Sequence, residues 1–356
     1  MTAPPESLAR LLVPPDDFDA RPAIEELIRV AAEERSSDLH LRPGPAEVEV
    51  LMRTDGVLRH RFSLDRQVYA RLLVGLKNMA RLASYKKSMP QDGQLRVDGL
   101  EVRVATAPTH FGEKAIFRLL ARRDVVPELE ELGFWADEMR QLQTILSQPQ
   151  GLLLATGPAG SGKTTTLLCA MRWLYAQHRE RLKPARGATL NIVTLEDPIE
   201  VVVPEFTQTE VRAAIGMTFA TGLRSLLRQD PEVILVGEIR DPETASAVVQ
   251  ASLTGHLVLS NLHTRDTVGV IPRLLEMGAE PYQLAAMLSG VVYQRLVRRL
   301  CPNCSRPADP TPELARERQM LGLPEEPHFV SEGCIECHRD RLPGASACGQ
   351  CRWGCC

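Results

Sequence analysis

Nowhere does this 356-residue chain keep the roughly 18 consecutive apolar residues of a membrane-spanning helix, so no such span is predicted. It lacks a strong excess of either charge. Lys and Arg number 42 against 45 Asp and Glu, a net charge of −3, and without a basic field nucleic acid is not an expected partner. The opening segment, MTAPPESLARLLVPPDD, has no basic stretch followed by an apolar one. No secretory leader is therefore read, and a cytoplasmic location is expected. There is no long internal repeat and no low-complexity tract. Cysteine, by contrast, is plentiful at nine residues. Disulfides are not expected in that compartment, so metal binding is the first reading. With 44% apolar and 24% charged residues the composition is globular, and the length suits two or three domains.

The strongest local signal is Gly157-Pro158-Ala159-Gly160-Ser161-Gly162-Lys163-Thr164, followed by Thr165: a complete GxxxxGKT phosphate-binding loop. Gly151–Thr156 before it suits a buried strand, and the residues from Thr165 to Tyr175 suit a helix. Strand, glycine loop and helix give the motif its chemistry. Glycines let backbone N–H groups curl around a phosphate, and the helix N-terminus adds its positive end. Lys163 is expected to reach the β- and γ-phosphates of a bound nucleotide, and Thr164 to hold Mg²⁺.

Residues 1–20, rich in Pro and Asp, are expected to be loose. A small α/β domain is predicted over 21–121, with a helix over 22–34, strands at 38–42 and 48–53, and a turn at Asp55-Gly56. An amphipathic helix over 68–83 and a hairpin turning at Asp98-Gly99 complete it. The charged stretch 122–131 reads as a hinge. From 132 to 300 short aliphatic strands alternate with helices, the pattern of a parallel sheet with functional loops at its carboxyl ends. Residues 301–338 form a cysteine segment, and 339–356 a tail without strand or helix period.

Three polar clusters accompany strand-like runs: Thr194–Glu200, Val233–Asp241 and Thr254–Thr264. A carboxylate at a strand end beside a phosphate loop can hold Mg²⁺ or orient the attacking water. Glu238 suits the first task and Glu196 the second, as general base, although the two roles could be exchanged. His263 is placed to sense the γ-phosphate or to bridge a subunit contact. Cys301, Cys304, Cys334 and Cys337 form two CxxC pairs, the tetrahedral pattern of a structural Zn²⁺ site. The long interval between the pairs calls for an inserted element, and Thr311 to Leu321 fits a helix with Thr311 as N-cap and Pro312 at its first position. Cys334 to His338 also spells CxxCH, but haem attachment requires export, and no leader is read.

The ordered set GPAGSGKTTT, TLEDPIE, LRSLLRQDPEVILVGEIRD and TGHLVLSNLHT resembles the secretion-type ATPases of type II secretion and type IV pilus systems, in which these are the Walker A, Asp box, Walker B and His box. SSDLHLRP, RTDGVL, MPQDGQ and VRVATAPTHFGEKAIFRLL extend the likeness, which covers roughly residues 36–338. The resemblance implies a RecA-like P-loop core and a small PAS-like N-terminal domain, with a zinc-stapled C-terminal segment. It implies a homo-hexamer with ATP between the two domains. Arg103 and Arg118 are the matching positions for arginines that meet the nucleotide, and Arg224 and Arg228 are placed to act across a subunit boundary. An inner-membrane platform protein is the implied partner, with peripheral attachment at the inner face of the plasma membrane. The tetracysteine favours an assembly motor over a retraction motor; a DNA-translocating ring is a further alternative, which near-neutral charge disfavours. Secretion, pili and DNA uptake are not distinguished. The family's further N-terminal domain is not expected in the 35 or so residues before SSDLHL.

After His338 the likeness stops, where the family continues with a Gly-Thr-Gly-Tyr-Arg-Gly-Arg type stretch. Arg339-Asp340-Arg341-Leu342-Pro343-Gly344 can be encoded CGG GAC CGG CTA CCG GGG, and dropping the first base reads Gly-Thr-Gly-Tyr-Arg. The tail is thus expected to be an out-of-frame product that packs against nothing, with Cys348 and Cys351 not zinc ligands.

Overall fold

The computed structural model describes residues 4–12, 19–34, 36–54, 56–120, 126–181, 189–298, 300–301, 303–322, 329–331, 341–342, 345–346 and 351–354. The chain folds as two units, Met1–Arg122 and Arg123–Cys356.

The first unit runs α1 (Glu6–Leu11), α2 (Ala20–Glu33), β1 (Asp38–Pro43), β2 (Val48–Thr54), β3 (Val57–Leu64), α3 (Arg66–Met79), β4 (Gln91–Val97), β5 (Leu100–Thr109) and β6 (Gly112–Leu120). Its sheet has the order β3-β2-β1-β6-β5-β4, antiparallel throughout. The helical spacing of Ala23, Ile24, Leu27, Ile28 and Ala31 makes one apolar stripe of α2, buried with Leu39, Leu41, Val102, Val104 and Phe117 of the strands in a single core. The first twenty residues are not uniformly loose, because Leu8 of α1 is fully buried in that core. The β4–β5 hairpin turns at Asp98 (φ 50°) and Gly99 (φ 81°), the two left-handed positions of the tight turn that Asp-Gly favours. Helix α3 ends at Met79, four residues earlier than its periodicity predicts. Gly93 of β4 lies so close to the helix end that an added Cβ would stand 2.5 Å from the Ala80 carbonyl oxygen. Lys77 of α3 is buried with Glu113, its ammonium 2.6 Å from one carboxylate oxygen and donating to the Lys86 carbonyl at 2.8 Å.

In the second unit come α4 (Ala136–Leu146), β7 (Gly151–Thr156), α5 (Lys163–Arg181), β8 (Ile192–Glu196), β9 (Thr207–Glu210), α6 (Phe219–Leu226), β10 (Val233–Val236), α7 (Pro242–Leu253), β11 (Leu257–Leu262), α8 (Val270–Glu276), α9 (Pro281–Met287) and β12 (Leu288–Tyr293). The sheet is parallel, in the order β12-β7-β11-β10-β8-β9. Every residue of β7, β8, β10 and β11 is buried, as expected where helices cover both faces. Alternate residues of β7 enter opposite cores: Leu152 and Leu154 pack with α6 to α9, Leu153 and Ala155 with α4 and α5. Of the hinge predicted over 122–131, residues 122–125 lie outside the described set. From Val126 the chain is already packed, with Val126, Leu129 and Leu132 buried at a three-residue spacing that suits the 3₁₀ turn Leu129–Leu132.

Beyond the sheet lie β13 (Arg295–Arg298), β14 (Ser305–Pro307), α10 (Pro312–Met320), β15 (Phe329–Ser331), β16 (Arg341–Leu342), β17 (Ala345–Ser346) and β18 (Cys351–Gly354). Helix α10 starts as its sequence dictates, with the Thr311 hydroxyl accepting from the Leu314 N–H and Pro312 in the first turn. Cys334, Cys337, His338 and Cys348 lie outside the described residues. The tail differs from expectation: β18 pairs antiparallel with β13, Cys351 opposite Arg298 and Gly354 opposite Arg295. The physical basis is the open edge of β13, whose unpaired backbone groups accept any extended segment within reach.

Candidate active site

At the carboxyl end of β7 the chain enters the glycine loop. Gly157 has φ +139° and an added Cβ would lie 2.3 Å from the Gln294 carbonyl oxygen, so only glycine fits. Gly160 (φ 71°) and Gly162 (φ 83°) supply the left-handed turns that aim successive N–H groups into one concavity before α5 begins at Lys163. Lys163 is 7% exposed, and its ammonium donates to the carbonyls of Gly157 (3.1 Å) and Pro158 (2.9 Å). Burial lowers its proton affinity, and the nearby Glu238 carboxylate partly restores it.

Gln294, just past β12, fastens this loop. Its backbone N–H donates to Thr156 O at 3.0 Å and its buried side-chain amide to Ser161 O at 2.7 Å. On the other side, the Thr156 hydroxyl lies 2.7 Å from that of Thr264 and accepts from the Thr264 N–H at 3.0 Å, tying the strand end to the residue after His263.

Glu238 follows β10 in a segment pinned from both neighbours: Gly237 N–H donates to Leu195 O (2.8 Å) and Ile239 N–H to Asn261 O (3.0 Å). Its carboxylate stands between Arg240 at 2.5 Å and His263 Nε2 at 3.8 Å. Burial, then the Lys163 cation, hold His263 below the ordinary imidazole range, against the opposing pull of Glu238. That shift favours the neutral imidazole, which can accept as well as donate. Asn261 reaches toward the Thr164 hydroxyl (3.5 Å) and donates to Gly237 O (2.9 Å).

Glu196 ends β8 at 2% exposure. Its Oε1 accepts from the Thr194 hydroxyl (2.6 Å) and from the Gln208 amide (2.9 Å), while Oε2 is buried with no partner among the described residues. Burial pushes this carboxyl above its ordinary range, and the two donors hold the rise down.

The second unit thus brings Lys163, Thr164, Glu238 and His263 together, with Glu196 at the end of the strand beside β10. Arg103 and Arg118 belong to the first unit, directly opposite each other on β5 and β6. They line a cavity of about 990 Å³ with Arg81, Asp92, Arg96 and Glu101. Arg118 Nε donates to Asp38 (3.0 Å), whereas Arg103 Nε is buried without an acceptor among the described residues. Arg224 pairs with Glu243 at 3.0 Å, and Arg228 is exposed. Motif reading did not single out Thr194, Gln208, Asn261 or Gln294. A polar residue interrupting the apolar run before Leu296 is the one sequence signal for Gln294.

No group of three or more His, Cys, Asp or Glu among the described residues could hold a metal ion by itself. The donors near the loop, the Thr164 hydroxyl and the Glu238 carboxylate, are the hard oxygen ligands Mg²⁺ takes together with phosphate. Cys301 is buried, and its carbonyl accepts from the N–H groups of Cys304 (3.3 Å) and Ser305 (2.9 Å), a tight turn between the first two cysteines of the predicted zinc set.

The family model described as Type II/IV secretion system protein matches residues 16–350, so the likeness starts before residue 36 and runs past His338, where the motifs place its end. Type II secretion system protein E of Klebsiella pneumoniae is 43% identical over 331 residues, 92% of this chain and 64% of that protein. Type II secretion system ATPase E of Vibrio cholerae is 39% identical over 341 residues, 94% of this chain and 65% of that one. The chain therefore spans just under two-thirds of these relatives' length. Among solved structures, that of the pilus retraction motor PilT with bound ADP is similar with a TM-score of 0.57 and 28% identity, covering 78% of this chain and 80% of that one.

Proposed function

This chain belongs to the type II/IV secretion system protein family, and on that premise we propose that it is an ATP-hydrolysing motor driving assembly of pilin-like subunits in a type II secretion or related machine. The observation that carries the reading is one parallel sheet whose carboxyl ends present a phosphate loop, a carboxylate–imidazole pair and a buried carboxylate with one oxygen unpaired. Loop N–H groups and the start of α5 bind the phosphates. Lys163, now turned onto its own loop carbonyls, exchanges these for the β- and γ-phosphate oxygens. Glu196 Oε2 takes a proton from the attacking water, and His263 lies where the γ-phosphate would be sensed. Thr164 and Glu238 would hold Mg²⁺, which supplies charge neutralisation to the transferring phosphoryl group. Arg103 and Arg118 are read as the cations that meet the nucleotide from the first unit, since guanidinium forks match phosphate oxygens.

The working form is taken to be a hexamer, with an inner-membrane platform protein as partner and peripheral attachment at its cytoplasmic side. The PAS-like reading of the first unit is supported by its strand order, β1 flanked by β2 and β6. A zinc staple of Cys301, Cys304, Cys334 and Cys337 is supported by the Cys301–Cys304 turn; it favours assembly over retraction.

ATPase assays on the purified chain provide the test. Lys163→Ala is expected to abolish turnover, and Glu196→Gln and Glu238→Gln each to lower kcat at least about a hundredfold. Wild-type kcat in both Gln variants would remove the carboxylate assignment. Activity that depends on added DNA would favour a DNA-translocating ring instead.

A further inference from the structure

We infer that Thr194 and Gln208 are positioning residues of the hydrolytic step: they hold the Glu196 carboxylate by one oxygen and leave the other presented to the attacking water. The inference rests on the reading of Glu196 as the base, and goes beyond it by assigning two residues that touch neither nucleotide nor metal.

The geometry follows from the sheet. Thr194 and Glu196 are two residues apart on β8, so their side chains share a face. On the parallel neighbour β9, Gln208 stands opposite Thr194 in register. Both donors converge on Glu196 Oε1, the hydroxyl at 2.6 Å and the amide at 2.9 Å. The Gln208 side chain is otherwise fully committed. Its NH₂ also donates to Val201 O (2.9 Å), and its oxygen accepts from the Val203 N–H (2.7 Å). A flipped amide would set oxygen against two acceptors and NH₂ against a donor, so the network admits one orientation. Glu196 Oε2 is left buried with no partner among the described residues. Such an atom costs the fold free energy unless something fills the place. At the carboxyl end of the sheet that carries the phosphate loop, separated from β7 by β10 and β11, a water is the fitting guest.

The chemistry of the donors also fits. Hydroxyl and amide stabilise the carboxylate without a cation that would make it too weak a base. Among the charged groups around it, Glu200 of the following loop raises its proton affinity. The others on the elements packed here are Asp197, next in the chain; Glu210, opposite Glu196 in the ladder; and Glu238, beyond β10.

Steady-state ATP hydrolysis by the full chain, measured from pH 5 to 9, tests this. Thr194→Val keeps the shape and removes the donor; Thr194→Ser keeps the donor. Thr194→Val and Gln208→Met are expected to lower kcat at pH 7 about tenfold, with KM for ATP within about twofold, and to move the acid limb of kcat upward by about one pH unit. Thr194→Ser is expected to keep the wild-type profile. Should Gln208→Met fail to fold, the Val/Ser pair at 194 decides alone. An unmoved acid limb in Thr194→Val, with Glu196→Gln inactive, would overturn the positioning role and leave Glu196 as base. Wild-type turnover by Glu196→Gln would overturn both.

Discussion

Burying Glu196 at 2% exposure with one oxygen unpaired costs the folded state free energy whenever the carboxyl is ionised. Its proton affinity is raised in the fold, so its contribution to stability is fully present below the ordinary carboxyl value of 4.5 and is lost as pH rises through the higher folded value. Glu196→Gln is therefore expected to lose activity as proposed above and yet to be more stable than wild type at pH 8, with the gain vanishing near pH 4. Thermal unfolding at the two pH values checks this; a variant less stable than wild type at pH 8 would contradict it. The grouping of Lys163, Glu238 and His263 in the second unit was legible in the sequence because each lies within a contiguous string whose neighbours fix its geometry. Thr194 was not, because a Thr inside a buried strand reads as an ordinary strand former. Gln208 touches Glu196 from twelve residues away across a strand crossover, and no local pattern announces that pairing.

Helix α3 crosses α2 at a glycine. A Cβ on Gly75 would stand 2.4 Å from the Ala20 Cβ and 3.7 Å from its Cα, atoms that cannot rotate away. Helix propensity alone favours Gly75→Ala by up to about 1 kcal/mol, while overpacking a fixed contact costs about 1–3 kcal/mol. The contact wins, and thermal unfolding of Gly75→Ala is expected to show net destabilisation; a raised Tm would mean that the two helices part easily. Elements with strong period or uniform burial, such as α2, β7 and β10, were read from sequence nearly to the residue. The early stop of α3 was not, because it is set by β4, a distant strand pressed against the helix end. The helix α1 was missed for a similar reason: its anchors, Leu8 and the partly buried Leu11, sit in a Pro-rich setting that looks featureless until the core is present.

At the scale of the whole chain, the two cysteine pairs flank α10 in the sequence. Elemental analysis after anaerobic purification is expected to find about one zinc per chain, lost in a Cys301→Ser/Cys334→Ser double variant; undiminished zinc in that variant would rule out these ligands. The gene offers a separate check on the tail. A one-base shift after the His338 codon is expected to open a frame encoding the family's C-terminal segment. The pairing of β18 with β13 does not decide this, because an edge strand accepts a partner by backbone alone. Order of synthesis adds a constraint of its own. The amide that fastens the phosphate loop, Gln294 onto Ser161, comes 133 residues after it. On a ribosome adding about 5–20 residues per second, the loop waits roughly 7–27 s for its clasp. Throughout that interval the nascent chain carries the complete glycine motif without the clasp that Gln294 lays on Ser161. The fastened form of the loop exists only once translation has passed the end of the sheet.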